Sequence, residues 1–301
     1  MSHDAIALSA EVMQNVEQAN TPLSSLVLKA KRLAQLVGES DYETIMQYEE
    51  EGYPTPREGI PPEVRAMASI AGRAYDRPDP LTGQPKQYLY VQSIGELEKA
   101  IQDAEADLAA ATAGSAGYSP NPYRSVYIRQ TIDHISGRLM GRRAFLYRYA
   151  LQHHYRLRAL LVREEDVAPL CENVDEALKK TMPRPVTSVA ELYQKAGDDD
   201  TDTRAQAILK CRGILHELVD LESTLPGKGV PEDSSSKILQ HMGGVSRILT
   251  FLHGSGEGQA TSGKQAASRE ETRRYVISTA LLVGDLLALW EWPPVTKQTK
   301  R

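Results

Sequence analysis

The chain has 301 residues, of which 41% are hydrophobic and 25% charged, and its formal net charge is −5. This composition is that of a globular protein with room for two domains, and the mild negative charge argues against a surface that binds nucleic acid over its whole extent. Cys171 and Cys211 have no CxxC spacing, so we expect neither a disulfide framework nor a zinc site.

The first stretch of the chain indicates a cytoplasmic protein. It lacks a basic segment followed by an apolar one, so no secretion signal is predicted. Free thiols are also typical of a reducing cytosol. Beyond a leader helix in residues 1–22, a helix is predicted to open at Thr21 and Pro22 and to end at Gly38, with Leu26, Ala30, Leu33 and Val37 on one face.

Serine–glutamate capping boxes predict the starts of four helices. In such a box the serine side chain accepts from a first-turn N–H, and a glutamate three residues later reaches back to the serine N–H. The pairs are Ser40 with Glu43, Ser93 with Glu96, Ser188 with Glu191, and Ser268 with Glu271.

A small β hairpin is predicted between Ala66 and Val91. The run "QYLYV" is rich in strand-forming residues and follows the turn-like segment "RPDPLTGQPK". After the helix that opens at Ser93, the segment "SVYI" at residues 125–128 has the composition of a short strand. A long helix is predicted from Gln130 to Arg158.

The long helix interleaves arginine with tyrosine and is a candidate surface for nucleic acid. Arginines neutralise phosphates and tyrosines stack on bases, so the candidate binding residues are Arg138, Arg142, Arg143 and Tyr147. The alternative is a solvated helix face whose opposite side is buried. Arg142 lies in phase with the apolar stripe, which favours a buried ion pair or a partner contact for this residue.

The second half is predicted to be a helical domain behind a hinge at residues 183–188. The apolar run "YVISTALLVGDLLALW" is shorter than the roughly 20 residues that cross a bilayer and contains Asp285, so it predicts a buried helix and no membrane span. The acidic run at residues 198–202 lacks the pattern of a calcium loop and is expected to stabilise the start of the next helix. No metal and no cofactor is predicted.

Arg247 and His253 form the candidate catalytic pair. Arg-x(4–6)-His is the signature of HEPN-type helical ribonucleases, in which the histidine moves a proton and the arginine neutralises the developing phosphorane charge. The alternative is a solvated arginine and a histidine at the end of a helix. The glycine-rich residues 254–265 lack the spacing of a phosphate-binding loop and are predicted to be a surface loop.

Residues 25–53, which end in "EEEGY", and the segment "QSIGELE" at residues 92–98 resemble the AbiTii domain of bacterial abortive-infection proteins. The resemblance extends from about Leu23 to Leu160. The segments "AILKCRGILHELVD" and "YVISTALLVGDLLAL" are similar to the helical region found behind such domains, with Gly284 and Asp285 matching. The glycine-rich loop after His253 departs from that region's short turn.

The resemblance implies a role in anti-phage defence for a mainly α protein. The expected organisation is a leader helix at residues 1–22, an AbiTii-like domain with a small hairpin at 23–182, the hinge at 183–188, a HEPN-like helical bundle at 189–293 and a tail at 294–301. The leading interpretation is an oligomerising interaction module that holds a partner toxin, nuclease or phage trigger. The alternatives are a metal-independent ribonuclease, which needs a homodimer, and a nucleic-acid sensor.

Overall fold

The computed structural model describes residues 2–57, 59–79, 83–112, 122–182, 186–224 and 268–289. Within these ranges the chain forms ten helices and one two-stranded antiparallel sheet, which confirms the predicted mainly α fold with a small hairpin. Internal contacts divide the chain into two compact units, Met1–Leu151 and Gln152–Arg301. The domain boundaries given above stay a prediction.

In the described ranges the first unit contains five whole helices, the hairpin and the beginning of a sixth helix. Its elements are α1 Ser2–Gln18, α2 Leu23–Val37, α3 Ser40–Glu51, α4 Pro62–Ile70, β1 Ala74–Pro78, β2 Pro85–Leu89, α5 Ile94–Thr112 and the beginning of α6 Pro122–Leu161.

Helix α2 is the centre of the first unit. It packs against α1, α3 and α5, and it buries Leu26, Ala30 and Leu33 completely. The predicted face is therefore the buried one, and Val37 at its end is half-buried. Gly38 caps the helix in the left-handed region with φ of 75°, where a glycine carries no steric penalty.

The hairpin forms where the sequence predicts it. Strands β1 and β2 pair antiparallel with Tyr75 opposite Tyr88, and the Tyr75 ring also stacks on Tyr90 with 4.2 Å between the centroids. The strand predicted at residues 125–128 is wrong, because that segment lies in α6. Pro122 suits a first helical turn, and the buried Ile128 and Ile135 continue one helix face at a spacing of seven.

The four predicted capping boxes have different outcomes. Ser93 with Glu96 and Ser268 with Glu271 form both reciprocal hydrogen bonds. Ser188 accepts from the Glu191 N–H, whereas the first N–H groups of the following helix are held by Asp175. The box predicted at Ser40 is wrong, because Gly38 ends α2 so close that Glu39 becomes the N-cap and Ser40 is already helical.

The second unit is a helical bundle around an apolar helix. Its elements are the end of α6, α7 Glu164–Thr181, α8 Val189–Ala196, α9 Thr201–Thr224 and α10 Arg269–Leu289. Helix α10 contacts α7, α8 and α9, and it buries Val276, Ala280 and Val283. The prediction of a buried helix is thus confirmed. Among the described helices none has the length and apolar character to span a bilayer.

The acidic run before α9 acts as a helix cap. Asp200 accepts hydrogen bonds from the Thr203 hydroxyl at 2.6 Å and the Thr203 N–H at 2.9 Å. These bonds hold the pKa of the Asp200 carboxyl below its usual value, as expected for a carboxylate at the positive end of a helix. Within the described ranges, no group of acidic, histidine or cysteine side chains has the arrangement of a metal site.

Candidate functional site

A buried cluster of charged side chains lies in the first unit. The Glu49 carboxylate accepts from Arg73 through Nε at 2.8 Å and through Nη2 at 2.5 Å, and from Arg142 Nη1 at 3.3 Å. The exposed fractions are 0% for Glu49, 1% for Arg73 and 6% for Arg142. Charges removed from water to this degree are stable only when they are paired and hydrogen-bonded. The cluster therefore joins three segments of the chain, which are α3, the segment before β1, and α6.

The sequence "EEEGY" places the carboxylate in this position. Glu49 lies on the same face of α3 as the buried Ile45 and Met46, so the helix directs it inward. Gly52 follows with φ of 97°, and a Cβ there would lie 3.3 Å from the Val91 carbonyl oxygen. This position therefore requires a glycine.

Tyr53 completes the set of donors to Glu49. Its backbone N–H donates to the Val91 carbonyl at 2.8 Å, and its hydroxyl donates to Glu49 Oε1 at 2.9 Å. Burial, reinforced by the Glu49 carboxylate, raises the pKa of Tyr53. The hydroxyl is therefore protonated and acts as a donor across the physiological range.

Arg142 joins α6 to the segment that leads into the hairpin. Its Nη1 donates to the Ala71 carbonyl at 2.5 Å and its Nη2 to the Gly72 carbonyl at 2.8 Å. Burial lowers the pKa of the Arg142 guanidinium, and the Glu49 carboxylate opposes this effect. An arginine remains charged under such conditions, so Arg142 contributes a full positive charge to its surroundings.

A cleft of about 360 Å³ opens beside this cluster. One wall is α6, and the other is the segment that surrounds the hairpin. Gly137 and Gly141 are one helical turn apart on α6, and a Cβ at either would meet no atom within 4 Å. These glycines leave the cleft open. The lining residues are Gly72, Arg73, Tyr90, Asp133, His134, Gly137, Arg138, Gly141 and Arg142.

Arg138 is held at the edge of the cleft by three neighbours. Its guanidinium lies 4.0 Å from the centre of the Tyr90 ring, and its Nη1 donates to Gln92 Oε1 at 2.9 Å. Its Nη2 is 2.8 Å from His134 Nε2. Because arginine can only donate, Nε2 is the acceptor of this hydrogen bond. The Arg138 Nε–H is buried and has no hydrogen-bond partner among the described residues.

Positive charge exceeds negative charge around the cleft. Three guanidinium groups line it, and the carboxylates close to them in the described part of the chain are the buried Glu49 and the exposed Asp133 at the rim. The excess charge is enclosed by low-dielectric walls on the side of Arg73 and Arg142, which strengthens its field inside the cleft. The arrangement is suited to attract an anion.

The four predicted nucleic-acid residues do not form one surface. Arg138 and Arg142 line the cleft. Arg143 instead donates to the Val16 carbonyl at 3.0 Å, and the Tyr147 hydroxyl donates to Glu17 at 3.0 Å, so both contact α1. The ion-pair interpretation of Arg142 agrees with its contact to Glu49. Arg247 and His253 lie outside the described residues, and their catalytic role stays a prediction.

Sequence reasoning missed Arg73 and the burial of Glu49. Glu49 stands in a run of three glutamates, which is typical of a solvated helix end. Its spacing of three and four from Met46 and Ile45 is the available signal that this glutamate faces inward. Arg73 precedes the hairpin without any local pattern, so its role depends on tertiary contacts alone.

A family model described as AbiTii matches residues 7–165, which is more than half of the chain. The matched range contains every residue of the buried cluster and of the cleft. No curated protein and no solved structure matches the chain.

Proposed function

The chain belongs to the AbiTii family of abortive-infection proteins, and from this premise we propose that it is an oligomerising interaction module that holds a partner toxin, nuclease or phage trigger. Family membership suggests a role in abortive-infection defence. The oligomerising, partner-holding mode of action is our proposal.

The observation that carries the proposal is an apolar patch at the beginning of α6. The patch consists of Tyr123, Val126 and Tyr127, whose exposed fractions are 83%, 52% and 71%. Their spacing of three and four places them on one side of the helix. Exposed aromatic residues grouped in this way are typical of protein–protein interfaces, where they become the buried centre.

Charged residues next to the patch indicate what kind of surface would cover it. Arg124 and Arg129 are exposed on the same stretch of α6. A partner surface with an apolar centre and an acidic rim would complement both features. The chain itself carries a formal net charge of −5, so a second copy can supply such a rim as well as a foreign protein can.

The test compares the double variant Val126→Ser/Tyr127→Ser with the wild type. Light scattering after size exclusion gives the oligomeric state, and plating of phage on cells that express each protein gives the defence activity. We expect an oligomer for the wild type, a shift towards monomer for the variant, and loss of protection. Leu209→Ser is the matched control, because Leu209 is 59% exposed on α9, outside the patch.

Two results would contradict the proposal. One is a wild type that is monomeric at every concentration and protects cells without any bound protein. The other is a double variant that assembles and protects like the wild type while the purified proteins are equally folded. Circular dichroism of each variant establishes the second condition.

A further inference from the structure

We propose that the cleft between α6 and the hairpin segment binds a phosphate group carried by a small molecule, with Arg138 and Arg142 as its cationic donors. The proposed site would give the protein a small-molecule signal in addition to its partner. It does not depend on the apolar patch at residues 123–127.

The two arginines retain N–H groups for a ligand. Arg138 donates two of its five N–H groups, to Gln92 and His134. Arg142 makes three hydrogen bonds, to Glu49, Ala71 and Gly72. Each guanidinium is therefore only partly satisfied by protein acceptors. His134 lines the same opening.

The cluster around Glu49 orients these donors in advance. The Arg142 guanidinium is fixed by three acceptors, and the Arg138 guanidinium is fixed by stacking on Tyr90 and by two polar partners. A ligand would thus meet guanidinium groups whose rotamers are already set, which reduces the entropy lost on binding. Glu49 and Asp133 offset two of the three guanidinium charges around the cleft, and an anion would offset the third.

The shape of the cleft favours a phosphate on a small molecule. Its volume of about 360 Å³ falls at the lower end of the range for small-ligand pockets. Gly137 and Gly141 allow a ligand to approach the helix backbone, since no side chain stands there. The guanidinium groups of Arg138 and Arg142 both line the cleft, and a phosphate has more oxygens and more charge than a carboxylate with which to accept from both.

The experiment measures binding to the full-length protein by calorimetry at constant ionic strength. The probes are inorganic phosphate, ADP, acetate and a single-stranded RNA without terminal phosphate. We expect phosphate or ADP to bind at millimolar concentration or below and acetate to bind more weakly. Phosphate binding as tight as that of ADP would identify the free ion as the ligand, and preference for ADP would identify a nucleotide.

Arg138→Gln tests the assigned donor. We expect its affinity for the bound probe to fall by about tenfold to a hundredfold, as for loss of a charged hydrogen bond. Arg129→Gln is the matched control, because it makes the same charge change on the same helix. Nine residues separate the two arginines, so they lie about 180° apart around the axis. The control should bind like the wild type.

Gly137→Leu gives a second test that keeps every charge. A Cβ at this position would meet no atom within 4 Å, so we expect the leucine to extend into the cleft while the helix is retained. We expect binding to be lost and the melting temperature to be unchanged or higher, because leucine favours a helix more than glycine does.

Three results would overturn the proposal. They are no binding of phosphate or ADP at millimolar concentration, unchanged affinity in both Arg138→Gln and Gly137→Leu, and binding of the RNA alone. The third would assign the cleft to a polynucleotide. None of these results affects the oligomer measurement, so the two proposals fail separately.

Discussion

Arg73 holds both oxygens of the Glu49 carboxylate, through Nε at 2.8 Å and Nη2 at 2.5 Å, and the two side chains are almost completely buried. Arg73 Nη1 also donates to the Gln92 carbonyl at 2.6 Å. Gln92 and Glu49 belong to the two segments by which the sequence resembles the AbiTii domain. The most family-like stretches of the chain therefore meet at one arginine that neither stretch contains.

Removal of the Glu49 charge should strongly destabilise the first unit. In Glu49→Gln, Arg73 and Arg142 remain buried without a counter-charge, which typically costs about 3–5 kcal/mol of unfolding free energy. Glu50→Gln is the control, because Glu50 forms an ion pair with Lys31 at the protein surface. That change should cost at most about 1 kcal/mol. Urea denaturation of the two variants measures the difference.

Equal stabilities of the Glu49→Gln and Glu50→Gln variants would contradict this account of the cluster. They would mean that water reaches Arg73 and Arg142 as readily as it reaches Lys31. An additional loss of phosphate binding in Glu49→Gln, with the fold retained, would indicate that the carboxylate orients Arg142 for the ligand.

Asp175 should matter to the second unit as a helix cap. It accepts from the Val189 N–H at 2.6 Å, the Ala190 N–H at 3.2 Å and the Ser188 hydroxyl at 2.5 Å. Asp175→Ala leaves these donors buried or poorly paired, so we expect a loss of about 1–3 kcal/mol of unfolding free energy. Glu172→Ala, at an exposed position of α7, should be close to neutral. Equal melting temperatures for the two variants would contradict the capping role of Asp175.

The two cysteines should be inert in the folded protein. Burial raises the pKa of the Cys171 thiol to about 11 and that of the Cys211 thiol to about 12. Since the thiolate is the reactive form, neither should react with a thiol reagent at pH 8, and both should react in denaturant. Rapid labelling of either thiol in the native protein would contradict this prediction.

The same pKa shifts give a direction for stability at alkaline pH. In the unfolded chain the thiols lose their protons near pH 8.5, whereas in the folded chain they keep them to about pH 11 and 12. The unfolded state therefore binds fewer protons between these values, and the unfolding free energy falls as the pH rises through this range. Denaturation curves of the wild type and Cys211→Ala at pH 8 and pH 10 would show whether the thiol contributes.

The sequence predicted those elements whose structure follows from the spacing of residues within the same segment. Leu26, Ala30 and Leu33 predicted the buried face of α2, and the apolar run of α10 predicted its burial. The strand prediction at residues 125–128 was wrong because it relied on the strand preference of valine and tyrosine. The segment is helical, and its Ile128 shares a buried helix face with Ile135. Arg73 and the cleft could not be predicted, because they depend on three segments that meet only after folding.

The interaction-module proposal makes a negative prediction for RNA. Arg247 and His253 are the predicted ribonuclease pair, and we expect total and phage RNA to remain intact in EDTA with the wild type and with His253→Ala. Cleavage by the wild type alone, with both proteins folded and of equal oligomeric state, would favour the HEPN-like ribonuclease, because a histidine acid–base needs no metal.

Arg143 and Tyr147 should hold α1 and should not bind the phosphate ligand. Their side chains donate to Val16 and Glu17 at the end of α1, so the double variant Arg143→Gln/Tyr147→Phe removes two ties between α1 and α6. We expect faster amide exchange and earlier proteolysis within α1, at a cost of about 1–3 kcal/mol for opening that helix. The phosphate affinity should stay at the wild-type value, because neither residue lines the cleft. Loss of phosphate or RNA binding in this variant, with α1 still protected from exchange and proteolysis, would contradict this prediction. It would favour the single arginine–tyrosine surface that the sequence predicted.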